Sequence, residues 1–245
     1  MIESSDQRQM ASDDLTQKLE LWGDMDLSVH EDDDFTIENL MSLESTELLL
    51  WFGHGTQVSD LHSVLYTTEA TTMEKSIEYV DLIRSKEVTV AGGGAYSLSG
   101  GYYCITAKFV QNYFPEMEDA LVILNACKGG MDSYLSAAFL SKGAETVIAY
   151  SDTVPIWYTY LLTYDVLRYM SGGGGDEAYH TVQEALGLAK EDFGVTGRIG
   201  AILEDALDDP EPISLDDARA INGKYEYQAF DLTLFSEYVP SDQAD

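Results

Sequence analysis

Short apolar blocks punctuate the chain, each closed by small or turn-forming residues, and between them apolar positions recur at helical spacing. Leu121, Val122, Ile123 and Leu124 run into Asn125, Ala126 and Cys127 and stop at Gly129 and Gly130. Such a block is too short for a helix of its own and suits a buried strand. The block at residues 47–52 (ELLLWF) reads the same way and ends on Gly53, His54 and Gly55. Residues 88–91 and 146–150 predict two further strands, the first closed by Gly92, Gly93 and Gly94, the second by Ser151 and Asp152.

Helical spacing joins Phe35, Ile37, Leu40 and Met41, with Asp34 as the expected cap, and then Met73, Ile77, Val80, Leu82 and Ile83. It returns in residues 132–141, where Lys142 and Gly143 supply a stop, and in a long helix opened by Pro155 and reaching Met170. Asp176 is the expected cap of a helix through Ala189. Leu15, Leu19 and Trp22 suggest a short first helix, residues 24–29 a strand, residues 199–207 a helix and residues 225–235 a closing strand. Residues 56–74, with His62, read as a long polar connection, and residues 92–101 as a flexible Gly-rich loop beside the site; that loop lacks the patterns of a phosphate-binding turn. Cys104, in the apolar segment 102–110, reads as a small buried residue. Strands alternating with helices at these lengths predict an α/β fold with a mostly parallel sheet covered on both faces.

Composition narrows the partners. The formal net charge is −31, from 44 acidic and 13 basic residues, which disfavours nucleic acid and anionic membrane and favours cationic peptides or proteins. The same charge also reads as a solubilising surface. Two cysteines make no disulfide framework, and the lack of a long apolar run or secretory leader leads to an expected cytoplasmic location. The 245 residues carry enough apolar content, 45%, for one sizeable core. The expected organisation is an N-terminal helical extension over residues 1–23, a catalytic domain over 24–192 and a C-terminal segment, 193–245, completing that domain. The acid run at 30–34 lacks the alternating oxygen spacing of a calcium loop and reads as a solvated loop. The stretches 32–34 and 204–217 leave weak, undesigned calcium binding open, and neither a resident metal nor a cofactor is expected.

The chemistry-bearing residues are the two that end strands. A thiol attacks a carbonyl as the thiolate, and a nearby histidine lowers its pKa or takes its proton. The resulting oxyanion needs preorganised donors, which backbone N–H groups beside the nucleophile and at a glycine such as Gly55 supply. Two strands finishing on His54 and Cys127 therefore hold the ingredients of an activated thiol, provided they lie side by side.

A hydrophobic strand into His54 and Gly55, and a second into Ala126 and Cys127 followed by Gly129, resembles the caspase-like cysteine peptidases, the clan of caspases, clostripain, gingipain and separase. The likeness is strongest to the bacterial CHAT and caspase-like domains, whose Phe-Leu-x-x-Gly-Ala helix end is matched by Phe139, Leu140, Gly143 and Ala144, and whose Glu-Ala-Leu helix by Glu184, Ala185 and Leu186. The likeness covers residues 24–190. It implies a three-layer α/β/α sandwich and a cysteine endopeptidase in which Cys127 is the nucleophile and His54 the general acid. It further implies an oxyanion hole from the N–H groups of Gly55 and Cys127, and a substrate pocket at Asn125, Ser151 and Asp152.

Clostripain-like enzymes carry an acid two positions before the cysteine; here that position is Asn125. Asp152, at the end of the next strand, is the alternative acid for a basic P1 side chain, and its other reading is a helix cap. The clan also opens with a strand and helix; residues 1–21 offer a helix but no convincing first strand, so the expectation is either a fragment of a larger protein or a first strand drawn from residues 19–22. A regulatory protein or domain is an expected partner, and autocleavage is expected after Arg84, Lys86 or Lys128. Two other functions compete: a catalytically idle caspase-like module that binds or scaffolds, and a cysteine hydrolase of small esters or amides.

Overall fold

The computed structural model describes residues 34–58, 61–92, 100–154, 156–172, 179–194 and 232–235. In chain order these form α1 (Ile37–Met41), β1 (Leu48–Phe52), β2 (Gly55–Val58), β3 (His62–Ala70), α2 (Met73–Glu78), α3 (Val80–Arg84), β4 (Val88–Ala91) and β5 (Tyr102–Ile105). Then follow α4 (Ala107–Tyr113), β6 (Leu121–Asn125), α5 (Tyr134–Ser141), β7 (Thr146–Tyr150), α6 (Ile156–Met170), α7 (Val182–Gly194) and β8 (Leu232–Phe235). The fold is mixed α/β. The chain divides into one unit of residues 28–153 with 233–245 and another of residues 1–27 with 154–232.

The first unit is built on two sheets. In one, β1 pairs in parallel with β6 from Leu48↔Leu121 to Phe52↔Asn125, and β6 pairs in parallel with β7 from Leu121↔Thr146 to Leu124↔Ala149. The strand order is β1-β6-β7-β8. Every residue of β6 and β7 is buried, which is why these strands read as unbroken apolar runs rather than as alternation. The other sheet is antiparallel, in the order β2-β3-β5-β4.

One core serves both sheets. Trp51, Val122, Leu124, Val147 and Ala149 come from the parallel sheet, and Leu65, Tyr103 and Ile105 from the antiparallel one; Phe109, Phe114 and Phe139 close it from the helices. Each large apolar side chain so buried contributes roughly 1.5–3 kcal/mol. The chain passes from the first sheet to the second at Gly53 and His54. Gly53 N–H still donates to Asn125 C=O of β6 (3.1 Å), whereas His54 C=O already accepts from Tyr66 N–H of β3 (3.0 Å). The residue expected to carry proton-transfer chemistry therefore follows one anchored to the parallel sheet, while its own carbonyl is anchored to the antiparallel one.

Residues 56–74 are not a loose connection: they form the β2–β3 hairpin and the cap of the next helix. The helix expected over 73–83 breaks at Tyr79, which ends α2 and begins α3. Burial of Tyr79 edge-on against Tyr103 (5.2 Å between ring centroids) fixes the break, and Met73 and Ile77 are left outside. Thr36 rather than Asp34 caps α1, its side chain accepting from Asn39 N–H. Cys104 is fully buried in β5.

In the second unit α6 and α7 pack against each other. Helix α7 starts at Val182, not near Asp176, because Thr181 and Glu184 form a reciprocal capping pair: Thr181 N–H donates to Glu184 Oε2 (3.0 Å) and Glu184 N–H to Thr181 Oγ1 (3.3 Å). Strand β8 falls within the expected closing strand. The expected N-terminal helix, the strand at 24–29, most of the Gly-rich loop (93–99), Asp176, the helix at 199–207 and the acidic stretch 204–217 lie outside the described residues.

Candidate active site

His54 and Cys127 each lie two residues beyond a strand end, and the register Phe52↔Asn125 makes those ends neighbours. The structure therefore brings the two together at the carboxyl edge of the parallel sheet, where open α/β sheets bind their ligands. His54 is exposed and Cys127 is half-buried. Gly55 lies against the backbone that carries the thiol. A Cβ at Gly55 would collide with the carbonyl oxygen of Cys127 and come within 3.1 Å of Ala126 Cβ, so only glycine allows the approach. The imidazole of His54 meets the ring of Tyr66 edge-on at 6.1 Å between centroids. Burial, and secondarily Cys104, raise the Tyr66 phenol above its usual pKa, which keeps it neutral beside His54.

The segment after the cysteine is held on two sides. Lys128 adopts φ +60°, and its N–H donates to Asp152 C=O (3.1 Å). Gly130 N–H donates to Tyr150 C=O (2.9 Å), and a Cβ there would lie 2.9 Å from Ala149 Cβ. These contacts bind the cysteine turn to the end of β7. From the other side, Ser63 of β3 donates its hydroxyl to Lys128 C=O (2.7 Å) and its N–H to Asp132 Oδ2 (3.1 Å). Asp132 Oδ1 accepts from Tyr134 N–H (3.2 Å) at the start of α5. His62 stacks on Tyr134 at 3.7 Å and 17°, with its Nδ1 3.5 Å from Asp132 Oδ2.

The three residues expected to line a substrate pocket lie close in the fold but differ in exposure. Asn125 is fully buried at the end of β6, Ser151 is half-buried and Asp152 is exposed, both just past β7. Asp152 Oδ1 accepts from Thr153 N–H (2.6 Å), so its carboxylate organises the turn ahead of α6 while remaining at the surface. Residues 28–153 alone supply all of these groups.

Sequence reasoning missed Tyr66, Ser63 and Asp132 as parts of this region. The first two lie in the hairpin that was read as a connection, where the run Val64, Leu65, Tyr66, Thr67 carried the signal of β-branched and aromatic residues. Asp132 meets Ser63 across 69 positions of sequence, and no local pattern announces that. Among the described residues, no group of three or more His, Cys, Asp or Glu is placed to hold a metal ion, and no helix is long and apolar enough to cross a membrane. No family model and no curated protein matches the chain.

Proposed function

We propose that the chain is a cysteine endopeptidase of the caspase-like type, with a three-layer α/β/α catalytic domain. The observation that carries this reading is the adjacency of His54 and Cys127 at the ends of in-register parallel strands, with Gly55 against the cysteine backbone. The Cys127 thiolate attacks the peptide carbonyl carbon, and the N–H groups of Gly55 and Cys127 receive the oxyanion. His54 gives its proton to the departing amine as the C–N bond breaks. Water then attacks the thioester, releasing the acid and regenerating the thiol.

The exposed Asp152, with Ser151 beside it and Asn125 behind, supports a preference for Arg or Lys at P1. The net charge of −31 favours the approach of such cationic substrates at low ionic strength. Autocleavage after the exposed Arg84 or Lys86 is in keeping with that preference. Lys128 is tied at both its N–H and its C=O and offers a poorer site.

The test is cleavage of a peptide library varied at P1, run beside Cys127→Ala. Cleavage after Arg or Lys that disappears in the variant, and that falls about tenfold on Asp152→Asn as a charge-assisted contact is lost, agrees with the reading. Undiminished cleavage by Cys127→Ala would remove it. Absence of any cleavage by the wild type would favour a binding module instead.

A further inference from the structure

Ser63 is fully buried, yet it belongs to the hairpin and not to the turn that carries the thiol. It lies two residues before Leu65, the end of the β3 stretch that pairs with β5 through Leu65↔Ile105. Ser63 pairs with Gln57 of β2 on one edge, but on the other edge it lies past the last pair with β5, and there a carboxylate oxygen of Asp132 accepts from its N–H in place of a strand partner (3.1 Å). Its hydroxyl is then aimed at Lys128 C=O at 2.7 Å, the residue after Cys127. His62, the residue before it, holds φ +62°, a conformation costing a non-glycine residue of the order of 1 kcal/mol, while stacking on Tyr134 and reaching Asp132. Two non-glycine residues in the left-handed region, His62 and Lys128, are thus joined through one buried hydroxyl and one carboxylate.

We propose that Ser63, oriented by Asp132, is a positioning residue for the Cys127 thiol. This rests on the peptidase reading above. The Cys127–Lys128 peptide is gripped at Lys128 N–H by Asp152 C=O and faced at Cys127 C=O by Gly55. The next peptide, Lys128–Gly129, is gripped at its C=O by Ser63, and its N–H donates to Ala126 C=O (3.4 Å), which shares a peptide with Cys127 N–H. Losing the Ser63 bond loosens the Lys128–Gly129 peptide, and its tilt passes through the bond to Ala126 C=O to the Cys127 N–H and thiol, moving them from the geometry that an oxyanion and His54 require. Folding tolerates the loss, because Lys128 C=O also accepts from Met131 N–H (3.2 Å).

The experiment compares two rates of Cys127 modification, located by mass spectrometry, in wild type, Ser63→Ala, Ser63→Thr and Asp132→Ala. Iodoacetamide reads the access and nucleophilicity of the thiol alone. An acyloxymethyl ketone peptide with arginine at P1 also needs the oxyanion donors and His54. Ser63→Ala is expected to slow the peptide probe about fivefold to tenfold, the equivalent of one buried hydrogen bond, while leaving the iodoacetamide rate within about twofold. Ser63→Thr, which keeps the hydroxyl, restores most of the peptide rate, and Asp132→Ala shows a smaller loss of the same kind. Equal peptide rates in wild type, Ser63→Ala and Asp132→Ala overturn the positioning role and leave the peptidase reading standing. Parallel loss of both rates also overturns it, since that marks general damage. A wild type that ignores the peptide probe overturns the peptidase reading and this inference with it.

Discussion

The two cysteines of the chain occupy opposite situations in the same unit. Cys104 sits inside β5, paired with Tyr66 on one side and Thr89 on the other, and is fully buried. Burial pushes its thiol up to about 12, so it stays protonated across the physiological range. Cys127 stands two residues past the end of β6, half-buried, with a glycine against its backbone and a histidine on the neighbouring strand end. Both follow apolar residues in sequence. What separates a packing thiol from a candidate nucleophile is position relative to the strand end, where side chains leave the core and backbone N–H groups leave the ladder.

The largest effect expected from this contrast is on cleavage. Cys127→Ala should lower peptide cleavage by about a thousandfold or more, while Cys104→Ala keeps the wild-type rate and loses about 1 kcal/mol of stability from the small cavity it leaves. Steady-state kinetics with denaturant unfolding of both variants checks the pair. His54→Ala is next, with a loss of about a hundredfold as general acid catalysis is removed and Cys127 is retained. Recovery of the rate with substrates whose leaving group needs no proton, such as thioesters, would locate the loss in proton transfer.

Gly55→Ala sharpens the comparison through geometry. The added methyl has to displace the Cys127 carbonyl, so a destabilisation of about 1–3 kcal/mol is expected together with a fall in rate of about a hundredfold. Gly187→Ala in α7 is the control. Nothing lies within 4 Å of a Cβ there, and relief of helical glycine predicts a gain of about 0.5–1 kcal/mol in thermal unfolding.

The smallest effect is on pH dependence. Folding raises the pKa of Cys104 above its ordinary 9.0 to about 12, so the folded state holds that proton more tightly than the unfolded chain. The associated stability is fully present below 9.0 and is lost as pH rises toward about 12. Unfolding midpoints measured through that window should converge between wild type and Cys104→Ala as pH rises.

The legibility of this molecule in its sequence follows the length and purity of its apolar runs. β1, β4, β6 and β7 were readable within a residue or two: β6 and β7 because strands buried on both faces leave unbroken apolar blocks, and half-buried β1 and β4 because their short apolar blocks are closed by glycines. The β2–β3 hairpin was not, since Thr56, Gln57, Ser63, Thr67 and Thr68 make it polar and its turn has no Asn-Gly or Gly-Gly signal. The caps at Thr36 and Thr181 were displaced from the expected Asp34 and Asp176 because several residues near each helix start can cap, and tertiary packing decides among them. In the site, His54, Gly55 and Cys127 were legible as strand ends. The grip of Ser63 and Asp132 on the cysteine turn was not, because its partners meet only after folding.

The most direct measurement is labelling of the wild-type protein at neutral pH with an electrophilic peptide bearing arginine at P1, followed by mass-spectrometric location of the adduct. Activation of Cys127 by His54 predicts an adduct on Cys127, none on Cys104, and its loss in His54→Ala. An adduct on Cys104, equal labelling of both thiols, or labelling of Cys127 that is unchanged in His54→Ala would contradict it.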